Sequence, residues 1–211
     1  MYTPEYSAET DLPTLHQAIE QWPLGALVVI GESGLEANHV PFELDRAAGT
    51  LGTLRCHVAR KNSVWSLANA ECLVIFQGPS AYISPNLYAS KREHGKVVPT
   101  YNYAAVHAHG RLVVHDDAKW LRGLLGRLTR RFEATQPAPW KMGDAPSSYI
   151  DEMLEHIVGL EIEISRLEGK WKMSQNQSED DRAGVVEGMS ASTSASDREV
   201  AKIVEERRRP R

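Results

Sequence analysis

Apolar residues recur at two different spacings along the chain, and the spacing separates helices from strands. Leu12, Leu15, Ile19 and Trp22 fall at helical spacing over residues 11–22. The run LGALVVIG (24–31) reads as a buried strand, and a turn between Gly31 and Gly34 leads to LEANHVPFEL (35–44). There Val40, Phe42 and Leu44 alternate with polar neighbours, as on a half-buried strand. After a turn from Asp45 to Gly49, TLGTLRCHV (50–58) continues as a third strand, RKNSVWSLANA (60–70) as a short helix and ECLVIFQG (71–78) as a fourth strand. A long β-rich run covers 101–115. The helix predicted over 117–134 sets Trp120, Leu124, Leu128 and Phe132 on one face, flanked by Leu121 and Leu125. A further helix follows at 147–154. In the last strand, IVGLEIEISRLEG, Leu160, Ile162 and Ile164 point inward while Glu161, Glu163 and Ser165 point out.

These elements predict a mainly β fold with helices inserted or appended, of the barrel kind. A parallel α/β sheet is disfavoured because the early strands follow one another too closely for crossover helices. Residues 1–189 read as one domain. SASTSAS (190–196) reads as a low-complexity linker, and the charged tail behind it is helix-prone, with Ser196 and Glu199 at capping-box spacing.

One stretch fits neither spacing. YISPNLYASKREHGKVVPTYNY (82–103) holds four of the chain's seven tyrosines, Tyr82, Tyr88, Tyr101 and Tyr103, with two prolines and a cluster of charges. It is poor core material and is expected to be a bent loop over a ligand. Pro85 and Pro99 bias Ser84 and Val98 toward extended backbone. The residues between them have room only for a short helical turn ending near Gly95.

The composition narrows the function classes. With 211 residues, 42% hydrophobic and 25% charged, the chain is an ordinary folded protein. Its formal net charge of −4 argues against coating nucleic acid by bulk electrostatics. The opening MYTPEYSAETDLP has no basic stretch followed by an apolar run, and no apolar run reaches the roughly 18 residues of a membrane span. A cytoplasmic protein without a membrane partner is expected. Cys56 and Cys72 lie in apolar runs and read as buried free thiols.

Candidate chemistry is sparse. His107 and His109 share a strand face, but without an acidic or cysteine partner at ligand spacing they predict no metal site. The helix 117–134 carries Lys119, Arg122, Arg127, Arg130 and Arg131 opposite its apolar stripe. That face is either solvated or a weak contact surface for DNA through Arg122, Arg127, Arg130 and Arg131. Arg60 and Lys61 stand between a strand end and a helix start, with Asn62 or Ser63 available as N-cap, which suits a phosphate. Ser84, Thr100 and Asn102 add hydrogen-bonding groups, and GKWKMSQNQS (169–178) adds Lys170, Lys172, Ser174, Gln175 and Asn176. A planar, polar-edged ligand with a phosphate, such as a nucleotide or flavin, would use this kit.

The motifs HVARKNSVW, AYISPNLYASKREHGKVVPTYNY and GKWKMSQNQSEDDRAGVVEG resemble, in order and spacing over residues 1–189, the PaiB family of FMN-binding negative transcriptional regulators. The resemblance implies an FMN-binding split β-barrel related to pyridoxamine-phosphate oxidases, forming a homodimer with FMN in the cleft between subunits. In those relatives a Ser-Arg-Lys triplet grips the FMN phosphate. Ala59-Arg60-Lys61 matches it here, keeping both cations and losing the hydroxyl, which Ser63 or Thr100 would replace. Ser84, Thr100, Tyr101, Asn102 and Lys172 match family motif positions, with Tyr101 keeping a ring where the family usually has tryptophan. The resemblance implies FMN-dependent repression. A flavin-dependent oxidoreductase without a direct role at DNA is the alternative, because neither a base-reading module nor an acid–base set is visible.

Overall fold

The computed structural model describes residues 1–208. Short helix α1 (Leu12–Gln21) and strands β1 (Ala8–Glu9), β2 (Leu24–Gly31), β3 (Gly34–Pro41), β4 (Glu43–Asp45), β5 (Thr53–Ala59) and β6 (Glu71–Ile83) make up the first part of the chain. A helical turn, α2 (Ser90–Glu93), precedes β7 (Thr100–His115), and α3 (Ala118–Glu133) and α4 (Ser147–Glu155) precede β8 (Ile157–Lys172). Helices α5 (Glu179–Ser190) and α6 (Ala195–Glu206) close the described chain. The strands form one sheet in the order β3-β2-β6-β7-β8-β5-β4, with β1 also paired to β8. Both β2 pairings and those of β1–β8, β4–β5 and β5–β8 are antiparallel.

By its contacts the chain divides into two compact units. Unit 1 comprises Met1–Ala18, Gln77–Val106 and Glu168–Arg211, and unit 2 comprises Ile19–Phe76 and His107–Leu167. The long strands β6, β7 and β8 contribute residues to both. Strand alternation slips near the unit boundary in β6 and β8, whereas β7 keeps one phase from Asn102 to Leu112. In β6 the buried set Cys72, Val74, Phe76 gives way to Pro79, Ala81, Ile83 across Gln77 and Gly78. In β8 Leu160, Ile162 and Ile164 are buried as predicted, and a second buried set begins at Gly169.

Unit 2 holds the core that the strand pattern predicts. Phe42 and Phe76 meet edge to face at 5.7 Å. The single strand expected over 35–44 is broken there, because Phe42 turns its N–H to the Pro23 carbonyl and ends β3. The short helix expected over 60–70 is only a 3-10 turn, Ser63–Ser66, capped by the Asn62 side chain. In α3 the buried residues are Leu121, Leu124 and Leu128, whereas Phe132 is exposed, so the inward stripe lies one position round from the predicted one. Cys56 and Cys72 are free and buried; burial pushes the Cys72 thiol up to about 11 and Cys56 further, so neither is a thiolate at neutral pH.

Unit 1 is built on the ends of the long strands and the C-terminal helices. Val185 and Met189 on α5 and Val200, Ala201 and Val204 on α6 are buried. The serines around 190–196 act at the helix junction: Ser194 caps α6, not Ser196, and Ser196 bonds instead to the Ser80 backbone. Glu9, buried on β1, pairs with Arg207 just past α6. The last residues of the expected helical tail, 209–211, lie outside the described residues.

Candidate functional site

The aromatic stretch 82–103 belongs to unit 1, and only its middle is a loop. Strand β6 runs on through Tyr82 to Ile83 and Thr100 begins β7, so the expected loop over 82–103 shrinks to 84–99. Ser84 is extended (φ −71°, ψ 140°) and its hydroxyl accepts from the Asn86 N–H, capping a 3-10 turn. The helical turn α2 ends before Gly95, which sits at φ +67°, as the prolines and glycine predict. The stretch is not devoid of core, however, since Tyr88 and Asn102 are buried.

Around its second end lies a polar cluster. Lys172 on β8 donates to the Thr100 hydroxyl and, at 2.5 Å, to the Tyr101 carbonyl on neighbouring β7. No carboxylate pairs with Lys172 among the described residues. Its pKa lies below the usual lysine value because burial, and then the nearby Lys170 charge, disfavour the ammonium. Lys170 is itself buried, donating to the Tyr2 carbonyl at 3.0 Å and lying 5.3 Å from the Tyr103 ring centroid. Beside them, Asn102 donates through Nδ2 to the Ser174 hydroxyl at 2.9 Å. Ser174 is buried at φ +61°, a left-handed conformation that costs a non-glycine residue about 1–3 kcal/mol.

Two polar atoms of this cluster are buried without a partner, Asn102 Oδ1 and the Tyr88 hydroxyl. Burial and the Asp181 carboxylate raise the Tyr88 pKa, and nearby Ser174 only partly offsets them, so the phenol is neutral. A buried acceptor left unpaired costs about 1–3 kcal/mol, which native structures seldom leave uncompensated. At the surface, the Tyr82 and Tyr101 rings meet edge to face at 5.9 Å, both exposed. The cluster thus offers an uncompensated cation, a hydroxyl, an unsatisfied amide oxygen and flat rings. Those groups suit a planar ring whose edge alternates carbonyl acceptors with an N–H donor.

The remaining predicted residues lie in unit 2. Arg60 is engaged: it donates to both Asp116 oxygens, at 2.9 and 2.6 Å, and to the Glu155 and Ile157 carbonyls. Its own carbonyl accepts from the Trp65 indole N–H at 2.8 Å. Asp116 in turn is held below the usual carboxylate range, chiefly by its hydrogen bond from Arg60. Lys61 and Ser63 beside it are exposed. The structure therefore brings Thr100, Tyr101, Asn102 and Lys172 into one cluster. It places Ser84 in the same unit at the other end of the loop, and Arg60, Lys61 and Ser63 in the other unit.

Partners of several predicted residues were invisible in the sequence. Ser90 donates its N–H and its hydroxyl to the two oxygens of buried Asp181, at 2.9 and 2.8 Å, across 91 positions. On α5, Gly184 and Gly188 form a notch for Leu87: a Cβ on Gly184 would stand 2.1 Å from the Leu87 carbonyl oxygen. The only sequence signal for this docking is the four-residue spacing of the two glycines. On α3, Arg127 forks onto Glu43 at 2.6 and 2.8 Å, Arg122 pairs with Asp151, and Arg131 donates to the Glu20 carbonyl.

Comparison with known proteins identifies the family. Residues 1–166 match the family described as "Putative FMN-binding domain". An uncharacterized protein of Aspergillus fumigatus is 35% identical over 98% of this chain and 97% of its own length. The protease synthase and sporulation protein PAI 2 of Bacillus subtilis is 27% identical over 98% of each. Among solved structures, the FAD and heme binding protein from Mycobacterium smegmatis aligns with TM-score 0.58 and 19% identity, over 79% of this chain and 73% of that one. The flavocytochrome Anf3 from Azotobacter vinelandii aligns with TM-score 0.61 and 13% identity, over 86% and 78%. These likenesses agree with the mainly antiparallel sheet and helices of a split β-barrel. The family match takes in the loop 84–99 and Asn102, and ends before Lys172. The chain belongs to the FMN-binding family that includes PaiB, and FMN is the cofactor this membership assigns.

Proposed function

We propose that this chain is a cytoplasmic, FMN-binding negative regulator of transcription of the PaiB type. The observation that carries the flavin reading is the unsatisfied, buried Asn102 Oδ1 beside Lys172 and Thr100. An isoalloxazine edge presents an imide N–H between two carbonyls; Asn102 Oδ1 would accept from such an N–H, while Lys172 and Thr100 would donate to the oxygens. Tyr101 and Ser84 are the proposed flanking contacts. Exposed Lys61, with Ser63 after it, is proposed as a phosphate contact of unit 2 taken by itself, separately from the ring contacts of unit 1. Arg60 takes part in phosphate binding only by giving up Asp116, so its proposed part is to fix the turn that presents Lys61. Bound FMN supplies one- and two-electron redox chemistry; the protein's contribution is to bind it, orient it and set the charge at its edge.

The regulatory part rests on likeness to PAI 2 over nearly the whole of both chains. The alternative, a flavin-dependent oxidoreductase, gains from one observation: three of the four α3 arginines expected to touch DNA are already bonded within unit 2. A homodimer belongs to the same proposal. In unit 2, Ile30 and Leu35, exposed at 72% and 77%, line a cavity of about 660 Å³ with Val113 and Leu73, an apolar surface a second copy would cover.

The test is titration of the apoprotein with FMN and with riboflavin, followed by light scattering. Preference for FMN over riboflavin, and a mass twice that of the chain, are expected. Equal affinity for the two flavins would remove the phosphate assignment, and reduction of the bound flavin by NADPH with turnover of an acceptor would favour the enzyme.

A further inference from the structure

The regulator reading leaves open which surface meets DNA, and α3 is poorly suited to it. A guanidinium already forked onto a carboxylate has little charge left to replace a counterion on DNA. Arg127 is forked onto Glu43 and Arg122 is paired with Asp151, so each would have to break an internal pair first. Arg131 is turned to the Glu20 carbonyl.

The loop of unit 1 differs on each count. Lys91, Arg92 and Lys96 are exposed within six residues, and among them only Glu93 is acidic. None of the three makes an ion pair among the described residues; Lys91 bonds only to the neutral amide oxygen of Asn86. The loop is also fixed in place. Ser90 holds both oxygens of buried Asp181, Leu87 sits in the notch of Gly184 and Gly188, and Tyr88 is buried behind it. Gly95 turns the chain at φ +67°, and the Lys96 N–H donates to His94 Nδ1 at 3.0 Å. A segment that serves only to solvate charge needs no such anchoring. Anchoring reduces the ordering cost when a partner binds. The exposure of all three cations along one anchored loop suits a partner lying across the surface.

We propose that the anchored loop 90–96, through Lys91, Arg92 and Lys96, is the surface that contacts the phosphate backbone of double-stranded DNA. This inference rests on the regulator reading above. The loop contributes phosphate contacts and no base readout, so binding is salt-sensitive and weakly selective by itself.

The experiment measures fluorescence anisotropy of a labelled duplex titrated with the full FMN-loaded chain at several salt concentrations. It compares wild type, the triple variant K91Q/R92Q/K96Q and the α3 variant K119Q/R130Q, whose two residues are exposed. With about 0.9 counterion released per phosphate neutralised, the triple variant should flatten the log–log salt slope by about 2.7 and weaken binding at least about tenfold. The α3 variant should bind as wild type does, and the triple variant should keep wild-type FMN affinity. Wild-type DNA binding in the triple variant, with loss in the α3 variant, would overturn the inference and return the surface to α3. A loss of FMN affinity in the triple variant matching its loss of DNA binding would overturn it too, assigning these cations to the flavin phosphate. No duplex binding by wild type at low salt would overturn the regulator reading itself, and this inference with it.

Discussion

Arg60 and Lys172 are both cations at predicted FMN positions, and their surroundings are opposite. Arg60 lies at the surface of unit 2 with its charge balanced by Asp116 and its remaining donors on two carbonyls. Lys172 is half-buried in unit 1, holds only neutral acceptors and has a second lysine nearby. A balanced cation is part of the scaffold. An unbalanced one, held at a cost by burial and like charge, is the arrangement that a bound acceptor relieves. The chemistry of a cationic residue is therefore set by its partners, and type and position alone do not reveal them.

The sharpest break of this comparison is removal of the unbalanced charge. Lys172→Met should weaken FMN by about 10- to 100-fold, the loss of one charge-assisted contact at 1.5–3 kcal/mol, with the melting temperature unchanged or raised. Asn102→Ala should cost about tenfold in FMN affinity, since it removes the unpaired acceptor along with the Ser174 contact. Riboflavin should lose affinity as FMN does in both, because the contacts proposed there are to the ring.

A pH titration sharpens the same point. The Lys172 pKa lies below the usual value in the folded chain, so an unfolded chain keeps this proton to higher pH. The cost of holding the charged ammonium is present in full below the folded pKa. It is relieved as pH rises through that value toward 10.5, so Lys172 makes stability increase there. FMN binding, which uses the ammonium, should weaken over the same rise, and Lys172→Met should lack this alkaline limb. Smallest is the effect of Arg60→Ala on FMN, expected within about threefold by the scale of an exposed ion pair. It should lower the melting temperature through loss of the contacts to Asp116, Glu155 and Ile157.

Legibility in the sequence followed range. Alternation along one strand depends on neighbours two residues away, so the inward set Leu160, Ile162, Ile164 could be read directly. Proline and glycine act on their own backbone, so Ser84, α2 and Gly95 came out as expected. The break at Phe42 depends on Pro23, and the shift of the α3 stripe on what α3 meets, neither of which periodicity encodes. The phase slip in β6 likewise hid that the strand runs on through Tyr82 to Ile83. At the site, the motifs pointed to Thr100, Asn102 and Lys172 together. The sequence could not show that Asp116, 56 positions on, occupies Arg60, or that Asp181 holds Ser90.

Contact between the unbalanced cluster of unit 1 and the flavin can be measured on its own. Its most direct test is calorimetric titration of FMN into wild type, Lys172→Met and Arg60→Ala, each first shown to be folded by circular dichroism. Lys172→Met should lose about 10- to 100-fold in affinity while Arg60→Ala stays within about threefold. An unchanged affinity in Lys172→Met, with a large loss in Arg60→Ala, would contradict this contact.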